Sequence, residues 1–358
     1  MDDLIKQIII LHSLKYKDKP NEEQTQNVLN QIVNKSRLEQ QSLLNKLFHL
    51  EEVIYQENEI IDFLTIVKNG EFYYSKIFPK IYEDLNQHLN VRFFIYENNS
   101  TDNTKKILEE LSSKYENIII KSENIVVYSS NSDDLCNDRI RNIRIARNNL
   151  KKFYINYYFD NPVDNSFVVL WDTDIIFNYD TTIKPLINKL ITTPNYSMLL
   201  GFGIFAGFNE HFINTLKKPY KTPFDLKYIY YMSIYYYDTL ALNYGTFYKK
   251  NTINFFHEEM KKVETGFGGI GIIKRNLYIT SFYDDYVKKR NFENHYFKDG
   301  MMCEHWGFCE RLRGYGDIYI VPRAQCLWYQ DIDIYQNKEL KKYVTYFINK
   351  KNLSNIYS

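Results

Sequence analysis

The sequence predicts an α/β fold, a mostly parallel central sheet flanked by helices, on three observations. From about residue 60 onward, short apolar runs rich in β-formers alternate with amphipathic helical stretches, the pattern of strand-helix-strand units. Val168, Val169, Leu170 and Trp171 have the composition of a strand buried on both faces. Polar clusters follow two of the predicted strands, where open α/β sheets bind their ligands.

The chain has 358 residues, enough for one large α/β domain or two small ones with a proper core. Lys and Arg number 45 against 44 Asp and Glu, a formal net charge of +1, which argues against nucleic acid or an anionic membrane as the main partner. The N-terminal apolar run "IIILHSL" is short, and nothing reaches the roughly 18 consecutive apolar residues of a membrane span, so the expectation is a cytoplasmic protein. Four cysteines give no disulfide framework, consistent with a reducing compartment. Cys303, His305 and Cys309 match no common zinc-ligand spacing. The 33 Tyr and 24 Phe, with abundant Ile, Asn and Lys, look like the codon bias of an AT-rich genome, that of a giant virus, a protist or an AT-rich bacterium. A viral origin would put the protein in the host cytoplasm or the virion.

In chain order, residues 22–54 place Val28, Leu29, Ile32, Val33, Leu43, Leu44, Leu47, Leu50 and Ile54 at helical spacing. They predict a helical extension over 1–55 that serves packing or homodimerisation. A main domain follows over 56–340, with a first half at 56–190 and a second at 191–340, and a C-terminal helix or tail at 341–358. "EIIDFLTIVKNGEF" reads as a strand ending at Asn69 and Gly70. "VRFFIYENNSTDNTKKILEEL" reads as a strand from Val91 to Tyr96, a polar turn from Glu97 to Asp102 and a helix presenting Ile107, Leu108 and Leu111. Ser100, Thr101 and Asp102 offer capping chemistry at its start. "NIIIKSENIVVY" adds a strand or two, "DDLCNDRIRNIRIARNNLKKF" a basic helix, and "VVLWDTDIIF" the buried strand with its two carboxylates.

Asp172 and Asp174 must emerge from the sheet, pair with something, or hold a cation, because burying an unpaired carboxylate is too costly. Two carboxylates at i and i+2 can face one ligand, and hard oxygen donors suit Mg²⁺ or Mn²⁺ together with substrate phosphates. They could also merely cap a turn.

On these motifs the chain resembles the GT-A-fold, metal-dependent glycosyltransferases. "YENNSTDNT" is similar to their acidic strand-end motif with its helix start, and "LWDTDIIF" to their Asp-x-Asp motif. "GFGGIGIIKR" resembles their glycine loop, and "CEHWGFCERLRGYGDIYIVP" their late acidic residue and helix. Within the superfamily it looks most like fungal capsular mannosyltransferase-like proteins. The resemblance implies a Rossmann-like GT-A sheet and transfer of a hexose-type sugar from a UDP- or GDP-sugar to a hydroxyl of a glycan or glycoprotein acceptor, with Mn²⁺ or Mg²⁺.

It also implies roles. Glu97, Asn98 and Asp102 would touch the nucleoside, with Asp172 at the ribose or the metal-bound water. Asp172, Asp174 and His305 would ligate the metal. Arg144, Arg147 and Asn148 approximate an arginine helix, and Gly268 and Gly269 belong to the loop beside the sugar. Glu304 would be the general base, taking the acceptor's proton. Asp238, next to Tyr235, Tyr236 and Tyr237, would bind the acceptor.

Each role has a plainer alternative. Glu304 could be a first-turn acid favoured by the helix dipole, His305 a core histidine beside Trp306 and Phe308, the glycine loop a packing turn, and the tyrosines core. Glu304 as base implies inversion of the sugar, whereas the capsular resemblance implies retention. A sugar nucleotidyltransferase should show a glycine-rich, basic loop after its first strand, which "TIVKNGEFYY" matches poorly. A non-catalytic carbohydrate-binding protein would have no need of Asp172, Asp174, Glu304 and His305 together.

Overall fold

The computed structural model describes residues 59–127, 135–161, 167–193, 195–205, 260–283 and 303–328. The expected N-terminal extension, the C-terminal tail and the Tyr235–Asp238 run lie outside the described residues. Among those described, the α/β fold class expected from the sequence is present: nine strands form one sheet, with helices between them.

The first four strands are β1 (Ile60–Val67), β2 (Asn90–Asn98), β3 (Ile118–Glu123) and β4 (Phe167–Trp171). They pair in the order β3-β2-β1-β4, all parallel. Parallel neighbours need crossovers. These are α1 (Phe78–Asn86), preceded by a π-helical turn at Tyr73–Ile77, α2 (Thr104–Lys114) and α3 (Leu135–Asp160). The winding runs outward from β1 to β3 on one side and resumes at β4 on the other. That reversal opens a crevice beyond the carboxyl ends of β1 and β4, where doubly wound sheets bind ligands.

Beyond β4 the sheet is mixed. The elements are β5 (Ile175–Ile176), α4 (Lys184–Thr192), β6 (Tyr196–Phe205), β7 (Lys261–Val263), β8 (Ile270–Lys274), α5 (Arg275–Thr280), α6 (His305–Leu312) and β9 (Asp317–Trp328). β8 lies antiparallel between β4 and β6, and β6 pairs in parallel with β9. Strands from both expected halves of the main domain therefore share one sheet. Among the described residues, no helix is long and apolar enough to cross a membrane.

Every residue of β4 is buried, as its composition predicts. Trp171 at its end packs edge-on against Phe63, Phe93 and Phe177, with ring centroids 6.1, 6.0 and 6.4 Å away. That aromatic cluster fixes where the strand stops. Asp62, in the middle of β1, is a carboxylate fully buried in the core. It accepts two hydrogen bonds from Arg92 on β2, at 2.7 and 2.8 Å, and one from the Tyr154 hydroxyl on α3 at 2.7 Å. The network ties α3 to the parallel sheet.

Removing one partner of a buried ion pair typically costs ~3–5 kcal/mol, because the other charge is left uncompensated. Asp62→Ala is expected to lower the unfolding free energy by that order, and Asp62→Asn by less, since the amide keeps the volume and one acceptor. Denaturant titration checks this, and an unchanged midpoint in Asp62→Ala would show that the network contributes nothing.

Candidate active site

The Asp172–Asp174 loop begins where β4 runs out and is pinned on both sides. Upstream, the Thr65 hydroxyl on β1 donates to the Trp171 carbonyl at 2.7 Å. Downstream, Ile175 and Ile176 form β5, antiparallel to Trp328 and Leu327 of β9. Between these anchors both carboxylates emerge half-buried into the crevice. They are not turn caps of the ordinary kind, since Asp172 pairs with a buried arginine.

That arginine is Arg147, on α3. Its Nη2 donates to Asp172 Oδ1 at 2.9 Å and its Nε to Glu304 Oε1 at 3.1 Å. The guanidinium also lies 5.2 Å from the Phe267 ring centroid and 5.7 Å from that of Tyr283. Asn148, the next residue, exchanges two hydrogen bonds with the backbone of Tyr283, at 2.8 and 3.2 Å, and so holds one wall of the site. Arg144, three residues before Arg147 and half-buried, shares its helix face.

Glu304 is the N-cap of α6, the helix start expected for it. Its second oxygen accepts from the Cys303 thiol at 3.1 Å. Burial pushes its carboxyl up, but the Arg147 guanidinium, the Cys303 hydrogen bond and, when protonated, His305 outweigh burial and hold it below the usual carboxylate range. His305 is buried, stacked on Phe267 with ring centroids 4.2 Å apart. Burial, and then the Arg147 charge, lower it to about 3, so the imidazole is neutral at pH 7. Neither ring nitrogen has a hydrogen-bond partner among the described residues.

Asp172 behaves in the opposite way. Burial raises it and Arg147 lowers it, but the nearby Asp174 and Glu304 charges raise it again, to about 7. Two carboxylates thus share one guanidinium, with the charge of a third, Asp174, close to Asp172.

The glycine loop closes the other side. Asp172 N–H donates to the Gly269 carbonyl at 2.8 Å, and the Cys326 thiol to the Gly268 carbonyl at 3.1 Å. The Cys309 thiol reaches the Gly266 carbonyl at 3.7 Å. Gly269 has φ of 82°, a conformation that only glycine adopts without strain.

The structure therefore brings Arg147, Asp172, Asp174, Gly268, Gly269, Glu304 and His305 to one place, and Asp238 lies outside the described residues. Among the described residues no three His, Cys, Asp or Glu side chains form a cation site, so His305 does not join the aspartate pair in a three-ligand cluster. The two aspartates still suit a hard divalent ion, which needs only one or two carboxylates when phosphates complete its shell. Their mutual repulsion is what such an ion would relieve.

The polar turn after β2 is organised differently. Glu97 accepts from the Ser100 N–H at 2.9 Å and from the Ser122 hydroxyl. Asp102 accepts from the N–H of Thr104, the first residue of α2, at 3.0 Å and from Glu71 N–H at 3.2 Å, while the N-cap position is Asn103. Asn69, with φ of 55°, accepts from Thr101 N–H at 2.8 Å. Both carboxylates are thus held by the chain itself, clamping the turn after β2 to the turn after β1. Asn98 is buried and donates to the Asn99 side chain at 3.3 Å.

Residues given no role at the site by the sequence complete it: Thr65, Phe267, Tyr283, Cys326 and Tyr73, with Cys303, which the sequence offered only as a poor zinc ligand. The Tyr73 hydroxyl is raised by burial and further by the charges of Asp174, Cys326 and Asp172. A single Thr within the apolar run of β1 and a Phe inside the glycine motif were the only signals.

No family model matches the chain, and no curated protein matches it in sequence. Among solved structures, residues 1–349 of S. aureus TarS are 12% identical with a TM-score of 0.37, covering 82% of this chain and 67% of that one. The mannosyltransferase PcManGT from Pyrobaculum calidifontis, in complex with GDP-Man and Mn²⁺, is 12% identical with a TM-score of 0.38, covering 90% and 68%. GalNAc-T7 with UDP, GalNAc and Mn²⁺ is 11% identical with a TM-score of 0.40, covering 77% of this chain and 45% of its own. At these identities and TM-scores the likenesses say nothing about what this chain binds.

A side chain at a left-handed backbone position costs ~1–2 kcal/mol. Gly269→Ala is expected to lower the unfolding free energy by that amount, read from the denaturant midpoint. A midpoint equal to wild type would show that the loop can relax away from Asp172.

Proposed function

We propose that the chain is a glycosyltransferase of the GT-A type, moving a hexose-type sugar from a UDP- or GDP-linked donor to a hydroxyl of a glycan or glycoprotein. The observation that supports this best is the acidic cluster at the carboxyl end of β4: Asp172 and Glu304 share Arg147, and Asp172 is raised to about 7, first by burial and then, against the pull of Arg147, by the nearby Asp174 and Glu304 charges.

Asp172 and Asp174 would hold Mn²⁺ or Mg²⁺, which on binding supplies the positive charge that stabilises a departing diphosphate. Arg147 would face the same diphosphate with the N–H groups its two carboxylate partners leave over, and Arg144 would add charge from the next turn of α3. Such preorganised donors matter most where charge develops in the transition state. Gly268 and Gly269 let backbone approach the sugar. In transfer, the acceptor oxygen bonds to the anomeric carbon as the bond to the diphosphate oxygen breaks, and the hydroxyl proton passes to the departing diphosphate oxygen or to water. The edge of the turn after β2, with Asn98, is the proposed nucleoside end. Asp238 is retained as the proposed acceptor contact, and the N-terminal helices as the proposed dimerisation element.

Calorimetric screening of UDP- and GDP-sugars with and without Mn²⁺ tests this reading. One donor is expected to bind in a manganese-dependent way, and Asp174→Ala is expected to remove the manganese dependence. Binding of no donor under any of these conditions would sink the transferase reading and favour a non-catalytic role.

A further inference from the structure

We propose that Glu304 is a positioning residue for Arg147, holding its guanidinium for the donor diphosphate, and is not the base that takes the acceptor's proton. This rests on the transferase reading above.

The first support is that both Glu304 oxygens are already engaged. Oε1 accepts from Arg147 Nε and Oε2 from the Cys303 thiol, each at 3.1 Å. A general base has to come within hydrogen-bond reach of the proton it abstracts. Glu304 is only 5% exposed, with the His305 ring, itself stacked on Phe267, 3.4 Å from its Oε1.

The second support is the geometry of the guanidinium. Its five N–H donors lie in one plane, so fixing two of them orients the other three. Glu304 fixes Nε and Asp172 fixes one Nη2 donor, while Phe267 and Tyr283 supply aromatic contacts. Asp172 is itself a proposed metal ligand, whose oxygens a cation would claim. Glu304 is then the anchor that keeps Arg147 in place when Asp172 turns to its other partner.

The test measures donor affinity and transfer rate for wild type, Glu304→Gln, Glu304→Ala, Arg147→Ala and the Arg147→Ala/Glu304→Gln double variant, in manganese, with whichever UDP- or GDP-sugar wild type binds. Glu304→Ala is expected to weaken donor binding about tenfold, within the range of directly coupled pairs. Glu304→Gln keeps an acceptor for Arg147 Nε, and is expected to recover most of that affinity and to hold transfer within about tenfold of wild type. In the Arg147→Ala background, Glu304→Gln is expected to change donor affinity no further. A base would behave otherwise: Glu304→Gln would cut transfer ~100-fold or more with donor affinity intact, and that result overturns the proposal while leaving the transferase reading in place. Additive losses of affinity in the double variant overturn it too. Failure of wild type to bind any donor overturns the transferase reading and this proposal with it. Should Glu304→Ala not fold, Glu304→Gln in the two backgrounds still decides.

Discussion

The site depends on one buried guanidinium. Taking Arg147 out of water is costly, and the cost is recovered only with good geometry and charged partners. Its partners come from far apart in the chain: Asp172 at the end of β4 and Glu304 at the start of α6, with Phe267 and Tyr283 on either side of β8 and α5. The interaction therefore fixes the relative position of α3, the end of the parallel sheet and the late helix. Within it one guanidinium faces two carboxylates directly, and the charge of a third, Asp174, raises Asp172 further. Such a buried ionic cluster costs stability relative to well-packed apolar side chains, so its geometry has to be held by several elements at once.

The scaffold makes that cluster possible by deciding where β4 ends. Val168 to Trp171 are buried on both faces, so no carboxylate could sit among them unpaired. The Trp171 aromatic cluster, the Thr65 hydrogen bond to its carbonyl and the short β5 ladder on β9 confine the emergence of charge to the three residues between them. That point lies beside the end of β1, where the winding of the sheet reverses and the neighbouring crossovers leave a gap. The glycine loop then approaches closely enough for the Gly269 carbonyl to accept the Asp172 N–H, which a side chain at that φ would oppose.

Much of this was legible in the sequence. The strand before Asp172, the helix start at Glu304, the basic helix carrying Arg147 and the glycine loop all stand where local pattern puts them, because each is set by burial, capping or backbone freedom. What local pattern could not carry was partnership. Nothing in "RIARNNL" says that Arg147 meets Asp172 and Glu304, since those contacts depend on how the sheet is ordered. Nor could the sequence show that β8 runs antiparallel between β4 and β6, because alternation of elements leaves strand direction open. Asp62 shows the same limit: within an apolar run it reads as one more strand residue, and only the register beside Arg92 makes it the centre of a buried network.

The two acidic strand ends differ in how their carboxylates are partnered. In the sequence, "ENNSTD" after β2 and "DTD" after β4 look equivalent. In the fold, Glu97 and Asp102 have their oxygens filled by backbone N–H groups and hydroxyls of the adjoining turns, neutral donors that stabilise a carboxylate without needing another ion. Asp172 has a single charged donor, a repelling neighbour and a second oxygen with no partner among the described residues. A charge satisfied by its own turn is already at its minimum and gains little from a ligand. A charge held near another of the same sign gains on binding a cation, so the second cluster, not the first, is where binding free energy is available to the chain.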